Sequence, residues 1–269
     1  MLLAIDVGNS DTKLGFFARG EDAGLKLTKT WRITTARRRT SDEYGTALAA
    51  LFGRAGIAVE SVRAVAISSV VPQHDRALVE AALTYFGCDP LFFGAAGQNL
   101  IEVSTERPKE LGSDLIAAAI AARHLYGSPL VVIGFGTATT FSALSREGEY
   151  LGAAIAPGIQ ISIDALVERT AKLPQVALEA PNGPIGRDTV SALQAGIIYG
   201  FVGQTEAIVG RMKHAIGEDA RVVATGGLAE VVARHAKGID AVEPHLVLLG
   251  LRMLYEASVA AHGFPGAVV

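Results

Sequence analysis

The sequence predicts an α/β protein in which one fold occurs twice. Segments with strand and helix patterns alternate along the 269 residues, which argues against a helical bundle or a sandwich of strands. Each half also opens with two apolar strands joined by a glycine turn. Shifted by 128 residues, Ile5–Ser10 falls on Ile133–Ala138 and places Gly8 on Gly136, which indicates an internal duplication.

The elements of the first half are predicted from apolar runs and the residues that end them. The run over residues 2–8 ends in a turn rich in Gly, Asn and Asp, and Thr12–Phe17 resumes the strand pattern. Pro72 ends a later apolar strand because proline cannot donate to a sheet. The predicted elements are strands over 2–8, Thr12–Phe17, 26–34 and Val62–Val71, and helices over Asp42–Phe52 and Arg76–Phe86.

The second half repeats this layout without an intervening linker. Its predicted elements are a helix over Asp114–Tyr126, strands over Leu130–Phe135 and Ala138–Leu144, a turn at Ala156–Gly158, helices over Ile163–Leu173 and Thr189–Ala215, a strand over Arg221–Ala224, a turn at Thr225–Gly227, and helices to the end. Because no low-complexity stretch divides the chain, two domains, 1–115 and 116–269, would share a tight boundary.

Two helices of the second half carry apolar or aromatic residues whose role the sequence leaves open. His124 is predicted to be a partly buried packing residue, since the six histidines show no metal-ligand spacing. The apolar residues of the long helix could form core or a dimer seam, and they are Leu193, Ile197, Ile198, Phe201 and Val202.

Composition excludes several classes of protein. Lys and Arg number 24 against 27 Asp and Glu, and Arg37–Arg39 is followed by acids, so nucleic acid is not an expected partner. The single cysteine, Cys88, excludes a disulfide framework and a cysteine-based zinc site, and indicates a reducing cytoplasm. Neither a signal peptide nor an apolar stretch of about 18 residues is present, so no membrane is expected.

The first glycine turn has the chemistry of a phosphate site. Gly8 lets the backbone approach an anion, hydroxyls can donate to it, and Lys13 offsets its charge, while Asp6 could hold Mg²⁺ through water. A tight hairpin whose Asn and Asp serve only the turn stays an alternative. The residues of this candidate phosphate site are Asp6, Val7, Gly8, Asn9, Ser10, Asp11, Thr12 and Lys13.

Two later turns add to this pattern. Gly134–Thr140 contains three threonines and two glycines, although threonine is also common in strands. Thr225–Gly227 separates a strand from a helix, where glycines allow a phosphate or nucleoside to come close. The chain has neither a P-loop nor a Gly-x-Gly-x-x-Gly fingerprint. Two hairpin turns followed by a late Gly-Gly turn are typical of sugar kinases and actin-like ATPases.

An ordered set of motifs extends over nearly the whole chain. It comprises Asp6–Ser10 with Lys13, Ser68–Pro72, Pro108 with Leu111–Asp114, Phe135–Thr140, Gly152 with Ala156–Gly158, Leu173–Pro174 and Ala224–Gly227. In these motifs the chain resembles the type III pantothenate kinases. The resemblance implies an actin-like (ribonuclease H-like) ATPase fold with duplicated mixed sheets, a homodimer, and the use of ATP, Mg²⁺ and a monovalent cation, K⁺ or NH₄⁺. It also implies transfer of the γ-phosphate to the primary hydroxyl of pantothenate, the first step towards coenzyme A.

The resemblance also implies roles for individual residues. Asp114 would be the general base on the pantothenate hydroxyl, whereas the sequence alone favours a helix cap at this position. The residues Asp6–Lys13, Thr137, Gly226 and Gly227 would contact ATP, and Asp6 would serve the metal. The implied substrate contacts are Gly112, Ser113, Asp114, Leu115 and Thr189.

Three positions depart from the family pattern. Leu115 stands where the family usually has an arginine that binds pantothenate, and Gly134 stands where an aspartate usually helps hold the cation. Thr105 replaces a common tyrosine. The sequence therefore leaves two functions open: an active pantothenate kinase with altered acceptor and cation sites, or an ATP-binding paralogue that has lost this activity and works by binding or regulation. A kinase acting on another small hydroxyl compound is a third reading.

Overall fold

The computed structural model describes residues 1–21, 24–170, 172–179, 181 and 183–262. Within them the strands are β1 (Leu2–Val7), β2 (Asp11–Arg19), β3 (Leu25–Thr34), β4 (Ala64–Ser69), β5 (Leu91–Phe92), β6 (Leu130–Phe135), β7 (Ala138–Leu144), β8 (Tyr150–Pro157), β9 (Arg221–Thr225) and β10 (Ala241–Val242). The α-helices are α1 (Ser41–Arg54), α2 (Asp75–Ala81), α3 (Ser113–Tyr126), α4 (Ile159–Glu168), α5 (Thr189–Ile216), α6 (Ala229–Ala233) and α7 (Leu246–His262). Short 3₁₀ turns cover Val59–Ser61, Pro72–His74 and Pro108–Glu110, and Ala82–Phe86 is a π-helical turn.

The two sheets share one topology. The first has the order β3-β2-β1-β4-β5, and the second has the order β8-β7-β6-β9-β10. In each, the central strand pairs antiparallel with the strand that follows it and parallel with a later one: β1 with β2 and β4, and β6 with β7 and β9. The predicted α/β fold with duplicated mixed sheets is therefore confirmed.

The core of the first sheet depends on helices that cover one face with large apolar side chains. Helix α1 begins with a capping box, in which Thr40 and Glu43 exchange hydrogen bonds. It turns Tyr44, Leu48 and Phe52 inward at a spacing of four residues, so these side chains form one stripe in the core. The ring of Phe52 stacks on that of Trp31 and meets that of Phe16 edge-to-face, which fixes the helix against the sheet.

The chain divides into two compact units that are interleaved along the sequence. The first unit contains Met1–Ile101, Glu106–Ala121 and the described residues from Leu246 on; the second contains Glu102–Thr105 and Ala122–His245. The predicted domains were consecutive stretches, whereas α7 returns to the first unit and contacts β1, β2 and β4. Gly250 allows this return, because a Cβ there would overlap the carbonyl oxygen of Ala117.

Several elements differ from the sequence prediction. Strand β8 was not predicted, since its glycine and alanines give no clear strand pattern. Helix α4 begins at Ile159 and ends at Glu168, so the prediction of Ile163–Leu173 was wrong in both bounds, and that range also included Ala171, which lies outside the described residues. Gly158 at the N-cap explains the earlier start. The C-terminal helices were predicted to the end, and α7 ends at His262, beyond which the chain is outside the described residues.

The two side-chain predictions for the second half had different outcomes. His124 is exposed, so its prediction as a partly buried packing residue was wrong. Ile197, Ile198 and Val202 of α5 are buried in the core of the second unit, which confirms the core alternative for them. No helix among the described residues is both long and apolar enough to cross a membrane.

Candidate active site

Asp6 lies at the carboxyl end of β1, where the strand pattern places a charged residue in an otherwise apolar segment. It is 6% exposed and pairs across the strands with Lys13 and Ser68. The Nζ of Lys13 is 4.0 Å from the Oδ2 of Asp6. Sheet register therefore brings a buried carboxylate and an ammonium group together at one end of the sheet.

The carboxylate of Asp6 is only partly compensated by this lysine. Burial raises its pKa to about 7; Lys13 acts in the opposite direction, and the nearby carboxyl of Asp114 raises the pKa further. The main cause of the raised pKa is thus the loss of water around the carboxylate, for which Lys13 only partly compensates. A bound cation would stabilise the ionised carboxylate.

The first turn, Gly8–Asp11, joins β1 to β2. The backbone N–H of Gly8 donates to the carbonyl of Asp11 at 3.1 Å, and the N–H of Thr35 donates to the carbonyl of Ser10 at 2.9 Å. Asn9 and Ser10 are exposed at the tip. The turn thus presents backbone and small polar side chains to the outside, which suits a phosphate group.

Thr12 is placed differently from the other predicted residues of this turn. It is fully buried, and its hydroxyl lies 2.9 Å from that of Thr35. Its side chain is also near enough to Tyr44 to act to lower the pKa of the Tyr44 hydroxyl. The hydroxyl therefore faces the core of the first unit, and the structure gives Thr12 a supporting place beneath the turn.

Asp114 lies in the first turn of α3, as predicted. Its Oδ1 accepts a hydrogen bond from the backbone N–H of Leu115 at 2.9 Å. Burial nevertheless raises its pKa, and the hydrogen bonds from the backbone N–H groups of Leu115 and Asp114 and the charge of Lys13 only partly offset this. Asp188, an exposed N-cap, shows the opposite case, because hydrogen bonds from the backbone and side chain of Ser191 lower its pKa. Asp114 thus differs from a simple helix cap.

The residues before Asp114 fit closely around it. A Cβ on Gly112 would lie 2.5 Å from the Oδ1 of Asp114, so a larger residue there would displace the carboxylate. The hydroxyl of Ser113 is 2.7 Å from that of Ser68 on β4 and 3.4 Å from the carbonyl of Ser69. Because Ser68 pairs with Asp6 in the sheet, this hydrogen bond ties the start of α3 to the strand beside Asp6.

The second unit contains the other predicted turns. Gly136 and Thr137 form the second turn, between β6 and β7, and both are exposed. The N–H of Gly136 donates to the carbonyl of Ala138 at 3.1 Å. Gly226 follows β9 with a φ of 100°, and a Cβ on it would overlap the backbone of Phe135. Gly226 thus allows the backbone after β9 to approach the carboxyl end of β6, and Gly227 beside it is exposed.

Two further predicted positions also lie in the second unit. Gly134 faces Thr140, and a Cβ on Gly134 would lie 2.6 Å from the hydroxyl of Thr140. That hydroxyl fills the space of a side chain at position 134. Thr189 is exposed in the first turn of α5, directly after the capping residue Asp188.

Comparison with known proteins identifies the family. The family model described as type III pantothenate kinase matches residues 2–211. The type III pantothenate kinases of Geobacillus thermodenitrificans (strain NG80-2) and Geobacillus kaustophilus (strain HTA426) are each 44% identical over 263 residues, covering 98% of this chain and 100% of theirs. The chain belongs to the type III pantothenate kinase family.

Solved structures show the same fold at low sequence identity. A Campylobacter jejuni protein described as a Baf family transcriptional activator has a TM-score of 0.59 and 17% identity, covering 96% of this chain and 99% of its own. A Sinorhizobium meliloti protein described as a 2-dehydro-3-deoxygalactonokinase has a TM-score of 0.56 and 13% identity, covering 96% of both chains. The activator of 2-hydroxyisocaproyl-CoA dehydratase from Clostridium difficile, solved with bound ADPNP, has a TM-score of 0.53 and 12% identity, covering 97% of this chain and 96% of its own.

Within this type III pantothenate kinase family member, the positions that depart from the family pattern have clear local surroundings. Leu115 is half-buried and contributes its backbone N–H to Asp114. The hydroxyl of Thr105 is buried without a hydrogen-bond partner among the described residues.

Sequence reasoning missed Thr35, Tyr44 and His74, because each has the appearance of an ordinary strand-end, helix or turn residue. Only the fold brings them together beneath the first turn.

Proposed function

We propose that the protein transfers the γ-phosphate of ATP to the primary hydroxyl of pantothenate, giving 4′-phosphopantothenate and ADP. The observation that carries this proposal is a pair of carboxyl groups, the buried Asp6 and the half-buried Asp114, each of which is within the electrostatic influence of the other or of Lys13. Phosphoryl transfer needs mainly positioning, charge neutralisation and a base for the attacking hydroxyl. These residues supply the charge neutralisation and the base.

Asp114 is assigned the role of general base. Burial raises its pKa, which makes it a better proton acceptor than an ordinary carboxylate. As the hydroxyl oxygen bonds to phosphorus, its proton passes to the Asp114 carboxylate and the bond from phosphorus to the ADP oxygen breaks. Gly112 leaves room for the carboxylate, and Ser113 holds the start of α3 on β4.

The family resemblance implies ATP contacts for residues of the first unit and for other residues of the second. In the first unit, Lys13 and the exposed part of the first turn would bind phosphate oxygens through charge and hydrogen bonds. Thr137 of the second turn, with Gly226 and Gly227 after β9, would contact the nucleotide in the second unit. Thr189 and Leu115 would contact pantothenate, Leu115 through its backbone or apolar side chain because it lacks a charged group.

The residues at Asp6 fit Mg²⁺. The buried carboxylate is only partly compensated by Lys13, and Mg²⁺ commonly uses one or two protein carboxylates together with phosphate oxygens and water. No cluster of three or more potential metal ligands occurs among the described residues, which suits this mode rather than a closed protein site. Bound Mg²⁺ would supply neutralisation of phosphate charge.

The residues at Gly134 do not fit a carboxylate-based site for a monovalent cation. The hydroxyl of Thr140 occupies the space where a side chain at position 134 would begin, so position 134 itself offers a cation no carboxylate. We therefore derive no step through K⁺ or NH₄⁺. A weak response of the rate to either ion is expected.

A homodimer is proposed through the second unit. One face of the edge strand β8 consists of Leu151, Ala153, Ile155 and Pro157, all of them exposed. An apolar face on an edge strand is typical of a contact with another chain. A second copy of this chain is the occupant that the family resemblance implies, and a cytoplasmic location is proposed because the reaction consumes ATP.

The deciding experiment combines the purified protein with MgATP and pantothenate at high and low K⁺ or NH₄⁺. ADP release is followed, and 4′-phosphopantothenate is identified by its mass. Product well above a control without protein is expected. The absence of product, while ATP still binds, would contradict the proposal and favour the binding or regulatory paralogue, for which Leu115 and Gly134 are the supporting observations. Other small hydroxyl compounds would then be tested as acceptors.

A further inference from the structure

A chain of buried polar groups lies beneath the first turn. The hydroxyls of Thr35 and Thr12 are 2.9 Å apart, and the hydroxyl of Tyr44 is 3.0 Å from the Nδ1 of His74. Thr12 is also near enough to Tyr44 that its side chain acts to lower the pKa of the Tyr44 hydroxyl. Thr12, Tyr44 and His74 are each at most 1% exposed. We refer to these four residues, Thr35, Thr12, Tyr44 and His74, as the threonine–tyrosine network.

The threonine–tyrosine network is joined directly to the first turn. Thr35 donates its backbone N–H to the carbonyl of Ser10 and places its hydroxyl against Thr12. Ser10 and Thr12 flank Asp11, so these two hydrogen bonds hold the turn on both sides of the residue that begins β2. The carbonyl of Asp11 in turn accepts the N–H of Gly8.

The network supports the turn from the face of the sheet opposite Asp6. Ile5 and Val7 of β1 belong to the same core cluster as Tyr44 of α1. Because successive side chains of a strand point to opposite faces, Asp6 lies on the other face. The turn is therefore held from one side and presents its charged residues on the other.

The hydroxyl of Tyr44 is not needed for packing. Its ring fills a core position edge-to-face with His74, and the guanidinium of Arg39 lies 5.2 Å from the ring centroid. Of the basic run Arg37–Arg39, Arg37 and Arg38 are exposed, but Arg39 is half-buried over this ring. Phenylalanine could make the same contacts without burying a hydroxyl, and a buried hydroxyl is unfavourable unless it is hydrogen-bonded.

The burial of His74 in this network also lowers the stability of the folded protein. The Nε2 of His74 is buried and has no hydrogen-bond partner among the described residues. A network of this kind fixes one arrangement of its members, because each bond orients the next. Its free-energy cost is consistent with a role in geometry more than in stability.

We propose that Tyr44 and Thr35 are positioning residues that hold the first turn in the shape that binds the ATP phosphates. This inference rests on the proposed ATP site and adds two residues that lie outside it. Neither side chain would touch the nucleotide. Tyr44 acts through Thr12, and Thr35 acts through Thr12 and Ser10.

The test uses Tyr44→Phe and Thr35→Val in the full chain, since both keep the packing shape and remove a hydroxyl. Affinity for a non-hydrolysable MgATP analogue is expected to fall about five- to tenfold in each, as loss of one hydrogen bond predicts. The KM for ATP should rise by a similar factor while the KM for pantothenate stays unchanged. Amide hydrogen exchange of the peptide that contains residues 8–12 should become faster.

Tyr85→Phe is the matched control. The hydroxyl of Tyr85 donates to the Oδ1 of Asp42 at 3.1 Å, so this change also removes a tyrosine hydrogen bond to α1, but not one in the network. It should leave nucleotide affinity and exchange at residues 8–12 unchanged. Combining Thr35→Val with Tyr44→Phe should give less than the sum of the two single losses in binding free energy, whereas combining it with Tyr85→Phe should be additive.

The outcomes separate this inference from the proposed function. Tyr44→Phe and Thr35→Val proteins that bind the analogue as tightly as the unchanged protein would overturn the inference, even if phosphopantothenate is formed. Equal loss in Tyr85→Phe would also overturn it, because the effect would then be a general one on α1. If the unchanged protein binds the analogue and the two variants bind it more weakly, the inference stands even where no phosphopantothenate is formed.

Discussion

At the scale of single residues, Asp114 shows how burial changes the meaning of a common sequence feature. An acid in the first helical turn is usually a cap, and the sequence alone favoured that reading. In the structure the same carboxyl has a raised pKa despite its hydrogen bond from Leu115, because burial is the larger effect. Burial cannot be read from the local sequence, so only the resemblance to a family pointed to the base.

Replacing Asp114 by Asn tests its assignment as the base. Turnover should fall about 10²- to 10⁴-fold, since the amide cannot accept the proton, while affinity for MgATP stays nearly the same. Steady-state kinetics and nucleotide titration measure the two effects. Asp42→Asn is the control, because Asp42 is also an acid in a first helical turn but is exposed. An unchanged rate in Asp114→Asn would remove Asp114 from the mechanism.

The raised pKa of Asp6 predicts a pH dependence of stability. The folded state holds this proton up to about pH 7, whereas an ordinary aspartate loses it near 3.8. Because the folded state binds more protons in that window, the free energy of unfolding of the nucleotide-free protein falls as the pH rises through it. Asp6→Asn should therefore raise Tm relative to the unchanged protein at pH 8 and much less at pH 5.

Thermal unfolding at the two pH values gives this comparison, with Asp164→Asn as the control. Asp164 is an exposed carboxylate on α4 and should show the same Tm difference at both values. A Tm gain for Asp6→Asn that is equal at pH 5 and pH 8 would contradict the assignment. MgATP should reduce the gain at pH 8, because Mg²⁺ bound at Asp6 favours the ionised carboxylate.

At the scale of elements, the packing of α7 on α3 depends on one glycine. The backbone of α7 at Gly250 lies so close to the carbonyl of Ala117 that no Cβ fits between them. Since α3 carries Asp114 three residues before Ala117, a shift of α3 would move the carboxyl as well. Helix geometry here connects a packing contact to the proposed base.

Gly250→Ala should destabilise the protein by about 1–3 kcal/mol through overpacking and should lower kcat. Gly53→Ala is the matched control, because Gly53 is near the end of α1 and a Cβ there meets nothing within 4 Å. It should leave kcat unchanged and stabilise α1 by up to about 1 kcal/mol. Chemical denaturation and kinetics check both variants. A stable and fully active Gly250→Ala protein would show that α3 and α7 can separate without consequence.

The elements also show where sequence patterns fail. Strands β1 and β6 are continuous apolar runs with a glycine turn after them, and both were predicted. Strand β8 and the start of α4 were not, since β8 alternates small residues with apolar ones that face outward. A strand with an exposed apolar face has no polar residues to mark its period. The same property makes it a candidate contact surface.

At the scale of the whole molecule, the duplication could be predicted because the repeated motif is recognisable in the amino-acid sequence. The repeat places Gly8 on Gly136, and both glycines donate their N–H within a hairpin turn. The return of α7 to the first unit produces no recognisable sequence pattern, because it depends on contacts between residues far apart in sequence. The positions of Thr35 and Tyr44 beneath the first turn were missed for the same reason.

The assembly proposed for the molecule predicts the effect of a charge on β8. Ile155 is 70% exposed in the middle of its apolar face, so Ile155→Glu should convert a dimer to a monomer. Ile185→Glu is the control, because Ile185 is 84% exposed but lies outside β8. Sedimentation of both variants and of the unchanged protein measures the mass. A dimer that persists in Ile155→Glu would place the contact elsewhere.

The return of α7 has a consequence for synthesis. Four leucines of this helix, Leu246, Leu248, Leu251 and Leu254, are buried, and the unit that they complete also contains β1. A ribosome makes β1 first and α7 more than 200 residues later. The nascent chain must therefore carry an uncovered apolar surface on its first unit until α7 has been made, a period in which chaperone binding would be most useful.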